Sequence, residues 1–478
     1  MLFNGIDLSP YMRIKDIRGR GLINRRVNAI TAPGMDGEYS ELVETPAKLL
    51  EVEARITGVD LRATIDDLNG ILATDEPVPI VFPDEPEKTY YGIVEESSED
   101  GELIHLNRHD ATFIIRRSDP YKYGPEQSIN FTSDTAIINN EGTAEAKPVI
   151  ELTAKEPVTF AMVSNGDEYN LVGTPADDDV QIVDAKTTVL YENGSTIDDW
   201  QDASMDMVDD PNVSNIGGNL GSDGAGIRAN PYGPSGSGQR GGAKTKELDE
   251  GLQDFELETT FDIISRREIE NWRMMIYLHD ENLNPIGQLG LKDNSRNYKR
   301  RVPLGTAGPH SSGYGNGRVL GDRSRYNDNA RDTTLFYLRM KREDNVFSFY
   351  VGEWYNFRHI NTWSGDFKDK SNQYMGKVKY ITLFVGSYQD RPIPSRIRMN
   401  SVELFELTSV AEDQTPYIAR AGDVFTFDHE NRDVLLNGEA IAKQIGGDFF
   451  TLKKDENTLA LMPEGAFDGQ VRYRSRYR

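Results

Sequence analysis

The sequence predicts a mainly β chain, and three observations predict it. Tyr 22, Phe 19 and Gly 43 in 478 residues favour strands and tight turns. Alternating apolar and polar runs, bounded by Gly, Pro, Asn and Asp, recur along the chain. Helical spacing is convincing in one place only, residues 61–72. At roughly 150 residues per domain, the length points to about three domains.

Composition excludes several classes of function. The net charge is −25 and the pI about 4.7, which argues against a nucleic-acid backbone or an anionic membrane surface as partner. There is no cysteine, so disulfides, thiolate catalysis and Cys-bound metals are ruled out, and folding in a reducing cytoplasm is expected. The N-terminus, MLFNGIDLSPYMRIKD, lacks the pattern of a secretory signal. No apolar run approaches the roughly 18 residues of a membrane span.

Residues 1–17 hold short strands around Asn4-Gly5, a strong hairpin signal. RGRGLINRRVN at 18–28 is locally basic; it reads as a solvated edge or as a docking surface for an acidic neighbour. Residues 32–37, Ala-Pro-Gly-Met-Asp-Gly, must turn. EVEARI at 51–56 alternates strictly and makes a half-buried strand. Asp60 caps the helix, whose apolar face is Leu61, Ile65, Leu68 and Leu72. Residues 78–82 form a strand, Pro83 and Pro86 stiffen an acidic loop, and 90–94 start the next strand. A strand at 111–115 ends in Asp119-Pro120-Tyr121, and Asn140 to Ile150 leads through Pro148 into another.

Four of these stretches, 33–37, 83–94, 119–121 and 140–150, resemble in order and spacing the landmarks of siphophage distal tail proteins. The resemblance implies an N-terminal β-sandwich ring domain with one helix over 1–134. It also implies a galectin-like β-sandwich second domain, and a homo-hexameric ring between the tail tube protein and the tail-tip or fibre proteins. The expected location is the virion, at the tail tip, after synthesis in the host cytoplasm.

The second domain is expected to be interrupted. Residues 149–153, 158–162 and 169–172 give too little sheet to bury a core alone. Strands of the same kind resume at 424–427, 433–436, 439–441, 449–453, 458–461 and 471–477, with Asn437-Gly438 as a hairpin turn. One β-sandwich is therefore expected from 135–174 plus 415–478, with 175–414 inserted behind the acidic entrance Asp177, Asp178 and Asp179.

The insert holds all four tryptophans. Strands are expected at 255–263, 272–279, 287–291, 336–341, 346–351, 380–385 and 397–407, with polar loops at 215–244 and 296–332: a sandwich or jelly roll. FELE at 255–258, DNVFSFYVG at 344–352 and the final apolar strand resemble concanavalin-like lectin modules, which implies carbohydrate binding. Host cell-wall or capsular saccharide is the expected ligand.

Aromatic faces stack on sugar rings, so Trp354, Tyr355 and Trp363, which flank one loop, are the leading site candidates. Trp272 is a further candidate, though its place inside a strand also suits the core. Catalysis would need two carboxylates at a set separation. Glu353 and Asp366 could be named, but 78 acidic residues always supply some pair, so no enzyme is expected. The alternatives are a glycan-hydrolysing insert or one that docks protein. The six His show no zinc spacing. Asp280 to Pro285 begins like a calcium loop but has Pro285 and Leu291 where glycine and glutamate are needed. No cofactor is expected, with calcium in the lectin-like part left open. G-x-G-x-x-G at 236–241 lacks a preceding strand and reads as loop.

Overall fold

Asn4 and Gly5 stand at φ 49° and 80°, and so fold Leu2–Phe3 back on Ile6–Asp7. From this turn grows the sheet that closes the protein. The computed structural model describes the chain except residues 32, 35, 104–106, 177–180, 325–329, 412–413 and 445–446, and describes backbone alone at 99–103. Ala32 and Met35 of the expected turn, the three aspartates of the expected acidic entrance and 325–329 of the second polar loop thus lie outside the described residues.

The first body packs Met12–Arg18, Lys48–Thr57, Arg108–Arg117, Val78–Val81 and Thr89–Leu103 over one helix, Leu61–Leu72. Val52, Ala54 and Ile56 are buried on one face of their strand while Glu51, Glu53 and Arg55 stay half-exposed on the other. Asp60 caps the helix by accepting from the Ala63 amide at 3.1 Å, and Leu61 and Leu68 are buried beneath it.

The acidic loop after Val81 is not left to solvent. Arg20 pairs with Asp84 at 2.8 Å and with Glu85 at 2.5 Å; Glu85 also accepts from Lys122 and from the Tyr90 hydroxyl, each at 2.5 Å. The Arg20 guanidinium lies 4.5 Å from the centre of the Phe82 ring. A strand-to-strand loop is thereby fastened to the segment before it and to the strand Lys122–Asn130 after it.

The second body has two sheets, and each mixes strands from far apart in the chain. In one the order is Thr135–Asn140, Asp455–Met462, Phe160–Ser164, Tyr169–Gly173. In the other, Val149–Ala154 lies between Val424–Asp428 and Phe467–Tyr477. Ile150, Leu152, Phe425, Phe427, Leu459 and Val471 fill the space between. The last strand also pairs along Lys122–Asn130, from Lys122↔Tyr477 to Asn130↔Gln470. Residues 449–453 are not a strand. Leu452 makes an isolated bridge to Ala146, while the amides of Phe449 and Lys453 donate to the side chains of Asp448 and Asn457.

Between Gly173 and Val424 stand two eight-stranded sheets, packed face to face over a core that includes Phe255, Phe261, Phe336, Phe347 and Trp272. The chain leaves and rejoins the second body side by side, since Gln181–Val183 pairs in parallel with Gln414–Pro416. Several strands of the insert were not expected, among them Lys186–Glu192 and three longer or loop-like stretches. Gln239–Leu252 and Val302–Ala307 run through stretches that read as loop, and Arg358–Lys368 follows a tight turn. Gly241 shows why composition misled: a Cβ there would strike the Val385 carbonyl, so glycine serves close strand approach here and not a turn.

Burial pushes the Glu85 carboxyl up, but bonds from Lys122, Tyr90 and Arg20 outweigh it and hold it at about 2. Its folded value lies below the ordinary value of about 4.3. Its contribution is therefore complete above that ordinary value and is lost as the pH falls toward about 2. Glu85→Gln should cost about 1–2 kcal/mol near neutrality. In thermal melts the gap between wild type and variant should hold from pH 6 to about 4.3 and narrow as the pH is lowered from there toward about 2.

Candidate functional site

The strongest concave feature is a cleft of about 810 Å³ between the inserted sandwich and the second body. Its inserted wall comes from four adjacent strands, Phe255–Ile264, Thr333–Glu343, Val346–Tyr355 and Arg358–Lys368, and on the last two Trp354 faces His359 across the ladder. The two rings stand edge to face with centroids 5.3 Å apart, and Tyr337 stacks on His359 at 5.1 Å. Asn356 and Phe357 make the turn between the strands, at φ 48° and 62°. A left-handed Phe is sterically costly. It lifts the Phe357 ring, 60% exposed, into the mouth of the cleft, where the Arg472 guanidinium lies 5.2 Å from its centre.

The facing wall is polar. Glu151, Asp468 and Gln470 line it from two adjacent inner strands of the sheet that contains the last strand, with Asn437 at a turn beside them. At its corner sits Gly438, with φ 82°, against the Trp354 ring; any Cβ there would collide with that ring. The His359 amide donates to the Gly438 carbonyl at 2.8 Å, and Arg358 pairs with Asp433, so the turn and the inserted strand pair are latched together.

Of the four residues expected to bind sugar, one lines this cleft: Trp354. Tyr355 is exposed on the far side of the strand with Arg331 3.8 Å from its ring centre. Trp363 packs against the inserted core. Trp272 is corrected outright: it is wholly buried in a strand with neighbours on both sides, and a ring without an open face cannot stack on a ligand. Phe357 and His359 escaped sequence reasoning. The one available signal was Asn356, a residue that tolerates the left-handed turn.

The imidazole of His359 is pushed down to about 4 by burial and then by Arg339, so it is neutral near pH 7. The Tyr350 hydroxyl contacts its Nδ1 at 3.0 Å, while Nε2 meets no hydrogen-bonding group among the described residues.

Beside the cleft lies a charged cavity. The Lys186 ammonium bridges Glu256 and Glu258, neighbours on one face of Phe255–Ile264, and Arg339 pairs with Glu439 at 2.7 Å. Burial and the adjacent Glu256 push the Glu258 carboxyl up against the pull of Lys186. Both carboxylates are thus engaged by the same ammonium. Glu353 is no better placed as an acid or base: it is buried, with Arg331 at 3.3 Å and Asn361 at 3.0 Å, while Asp366 is exposed three rungs beyond Trp363 along the ladder.

A separate surface stands out on the first body. Arg26–Ile30 and Tyr39–Glu44 form a hairpin that pairs with no other strand among the described residues. Val27, Ile30, Leu42, Val43 and Tyr39, the last 66% exposed, leave it apolar on the outside. Among the described residues there is no cluster of His, Asp or Glu arranged to hold a metal ion, and no helix is long and apolar enough to cross a membrane.

Comparison with known proteins places this architecture. The phage tail protein RIFT-related domain matches residues 5–105, and the siphovirus-type tail component C-terminal domain matches 386–477. The distal tail protein of Bacillus phage SPP1 is 36% identical over 195 residues, which are 40% of this chain and 70% of that protein. The crystal structure of the SPP1 protein, described as a hub adsorption apparatus of phages that infect Gram-positive hosts, matches at 31% identity over 36% of this chain and 73% of that one, with a TM-score of 0.33. The CBM2 module of the evolved Dit of Lactobacillus casei BL23 phage J-1 matches at 12% identity over 48% and 100%, with a TM-score of 0.37. On its two matched regions and on the extent of its identity to the SPP1 protein, the chain belongs to the family of siphophage distal tail proteins.

Proposed function

We propose that this distal tail protein is a structural hub of the virion, joining the tail tube to the baseplate or fibre, and that its insert binds host-surface saccharide during adsorption. In this reading 1–134 is the ring-forming part, 135–174 with 415–478 is one discontinuous carrier, and 175–414 is the cargo. Family membership supports the hub. The cleft at Trp354 carries the saccharide reading: rigid aromatic faces on one wall, and carboxylates and carboxamides on the other, suit a ligand with apolar faces and hydroxyl edges. The shared ammonium between Glu256 and Glu258, and the ion-paired Glu353, favour binding without hydrolysis.

The free hairpin supports self-assembly into a hexameric ring. A two-stranded ribbon is marginal alone, and an exposed apolar strip of this kind is stable in solution when a second copy covers it.

Trp354→Ala should weaken sedimentation of the full-length protein with host cell walls by about tenfold or more, the scale of one lost stacking platform. Unchanged sedimentation would remove the cleft as the site, and release of reducing ends by the wild type would replace binding with hydrolysis. Val27→Glu combined with Leu42→Glu should shift native mass spectra from ring to monomer without lowering the melting temperature. A ring that persists in this variant would show that the hairpin is not the contact.

A further inference from the structure

A second cavity, of about 370 Å³, opens on the other sheet of the insert, away from the cleft. Its floor is three adjacent strands, Trp272–His279, Pro285–Asp293 and Val302–Ala307. Arg273 and Lys292 stand directly opposite one another on that floor, both buried. Two cations in one cross-strand pair repel and destabilise a sheet. Arg318 is contributed by a neighbouring strand and Arg296 by the rim.

Some of this charge is answered from within. Asp210, buried beside the cavity, pairs with Arg273, and Asp322 with Lys292 at 2.8 Å. The remaining acid of the wall, Asp293, is turned to Arg301 at 3.4 Å and to the Arg300 amide. Arg318 donates to the His310 carbonyl at 2.5 Å, and among the described residues no carboxylate lies within ion-pair distance of it. Two polar groups of the wall have no hydrogen-bond partner among the described residues: the Nε of Arg273 and the Oε1 of Gln239, both on side chains more than nine-tenths buried. Buried polar atoms are satisfied in nearly all cases, so such pairs mark a site that is completed by something else.

The electrostatics agree with the geometry. Burial and then Arg273 hold the Lys292 ammonium below its ordinary range. Burial, followed by Arg273 and Arg318, pushes His310 down to about 4, so no further charge is added at neutral pH. In a chain of net charge −25, four cations converge on one small cavity. The wall holds one aromatic residue, Tyr388, so stacking on a neutral sugar is not what it is built for.

We propose that this cavity is a second binding site, which takes the anionic group of a host saccharide polymer, a carboxylate or a phosphodiester, on Arg318, Lys292 and the unpartnered Nε side of Arg273. The inference rests on the reading of the insert as saccharide-binding, but not on the cleft at Trp354. Arg guanidinium forks and a Lys ammonium together match the planar carboxylate and the tetrahedral phosphodiester alike.

The test uses the full-length protein and three soluble polymers in calorimetric titration: neutral dextran, polygalacturonate and polyglycerol phosphate. One anionic polymer should bind, and which one does separates a carboxylate from a phosphodiester. Arg318→Gln and Lys292→Gln should each weaken that binding by about tenfold, with Lys370→Gln on the exposed surface leaving it unchanged. Matching melting temperatures exclude misfolding as the cause. Binding of neither anionic polymer, or undiminished binding in both Arg318→Gln and Lys292→Gln, would overturn the proposal. Wall sedimentation that still depends on Trp354 would then leave the cleft and the saccharide reading standing.

Discussion

The pairing of the final strand, Phe467–Tyr477, is the constraint on which the rest depends. It runs between Lys122–Asn130 and Val149–Ala154, so the last residues of the chain complete a sheet begun by the first third. The second core cannot close until that strand arrives, because Phe467, Val471 and Tyr473 are part of it. Everything made in between must return the chain to where it departed. This is a contact of long sequence separation, the kind whose loop-closure entropy must be met before it stabilises anything. An insert that folds on its own core shortens the effective loop, since its ends are then held together by its own sheets.

The aromatic residues divide according to what their strands face. Trp272, Phe255, Phe336 and Phe347 point between the two inserted sheets and are spent on the core. Trp354, Tyr337 and His359 lie on the outer face of the same sheet, where a second body stands opposite and leaves a gap. One residue of register decides the role, because successive side chains alternate faces. Glycine at 438 sets how near the second body comes, since the carrier turn touches the Trp354 ring directly.

Much of this was legible in the sequence, and the misses have physical causes. The Asn-Gly turns at 4–5 and 437–438, the helix capped by Asp60 and the alternation at 51–56 are local signals, and local signals were enough. The interruption of the second sandwich was legible from its arithmetic, too few strands on either side. Gln239–Leu252 was not, because Gly241 and Gly242 look like loop residues when the backbone they approach is out of sight. The expected strand at 449–453 failed for the opposite reason: Phe450 and Leu452 do alternate inward, yet side chains took the backbone donors. Trp354 was named for its chemistry. Phe357 and His359 were not, since a cleft shared by two bodies has no signature in either one alone.

The parallel pairing of Gln181–Val183 with Gln414–Pro416 has a consequence of its own. Departure and return occupy a single narrow doorway, and no strand of the closing sheet lies beyond it. What stands outside the doorway can be enlarged, trimmed or exchanged for any unit whose two ends lie equally close, and the ladder from Lys122 to Tyr477 would not move. The fold thus separates a part held in place by its own ladder from a part whose size and shape that ladder does not constrain.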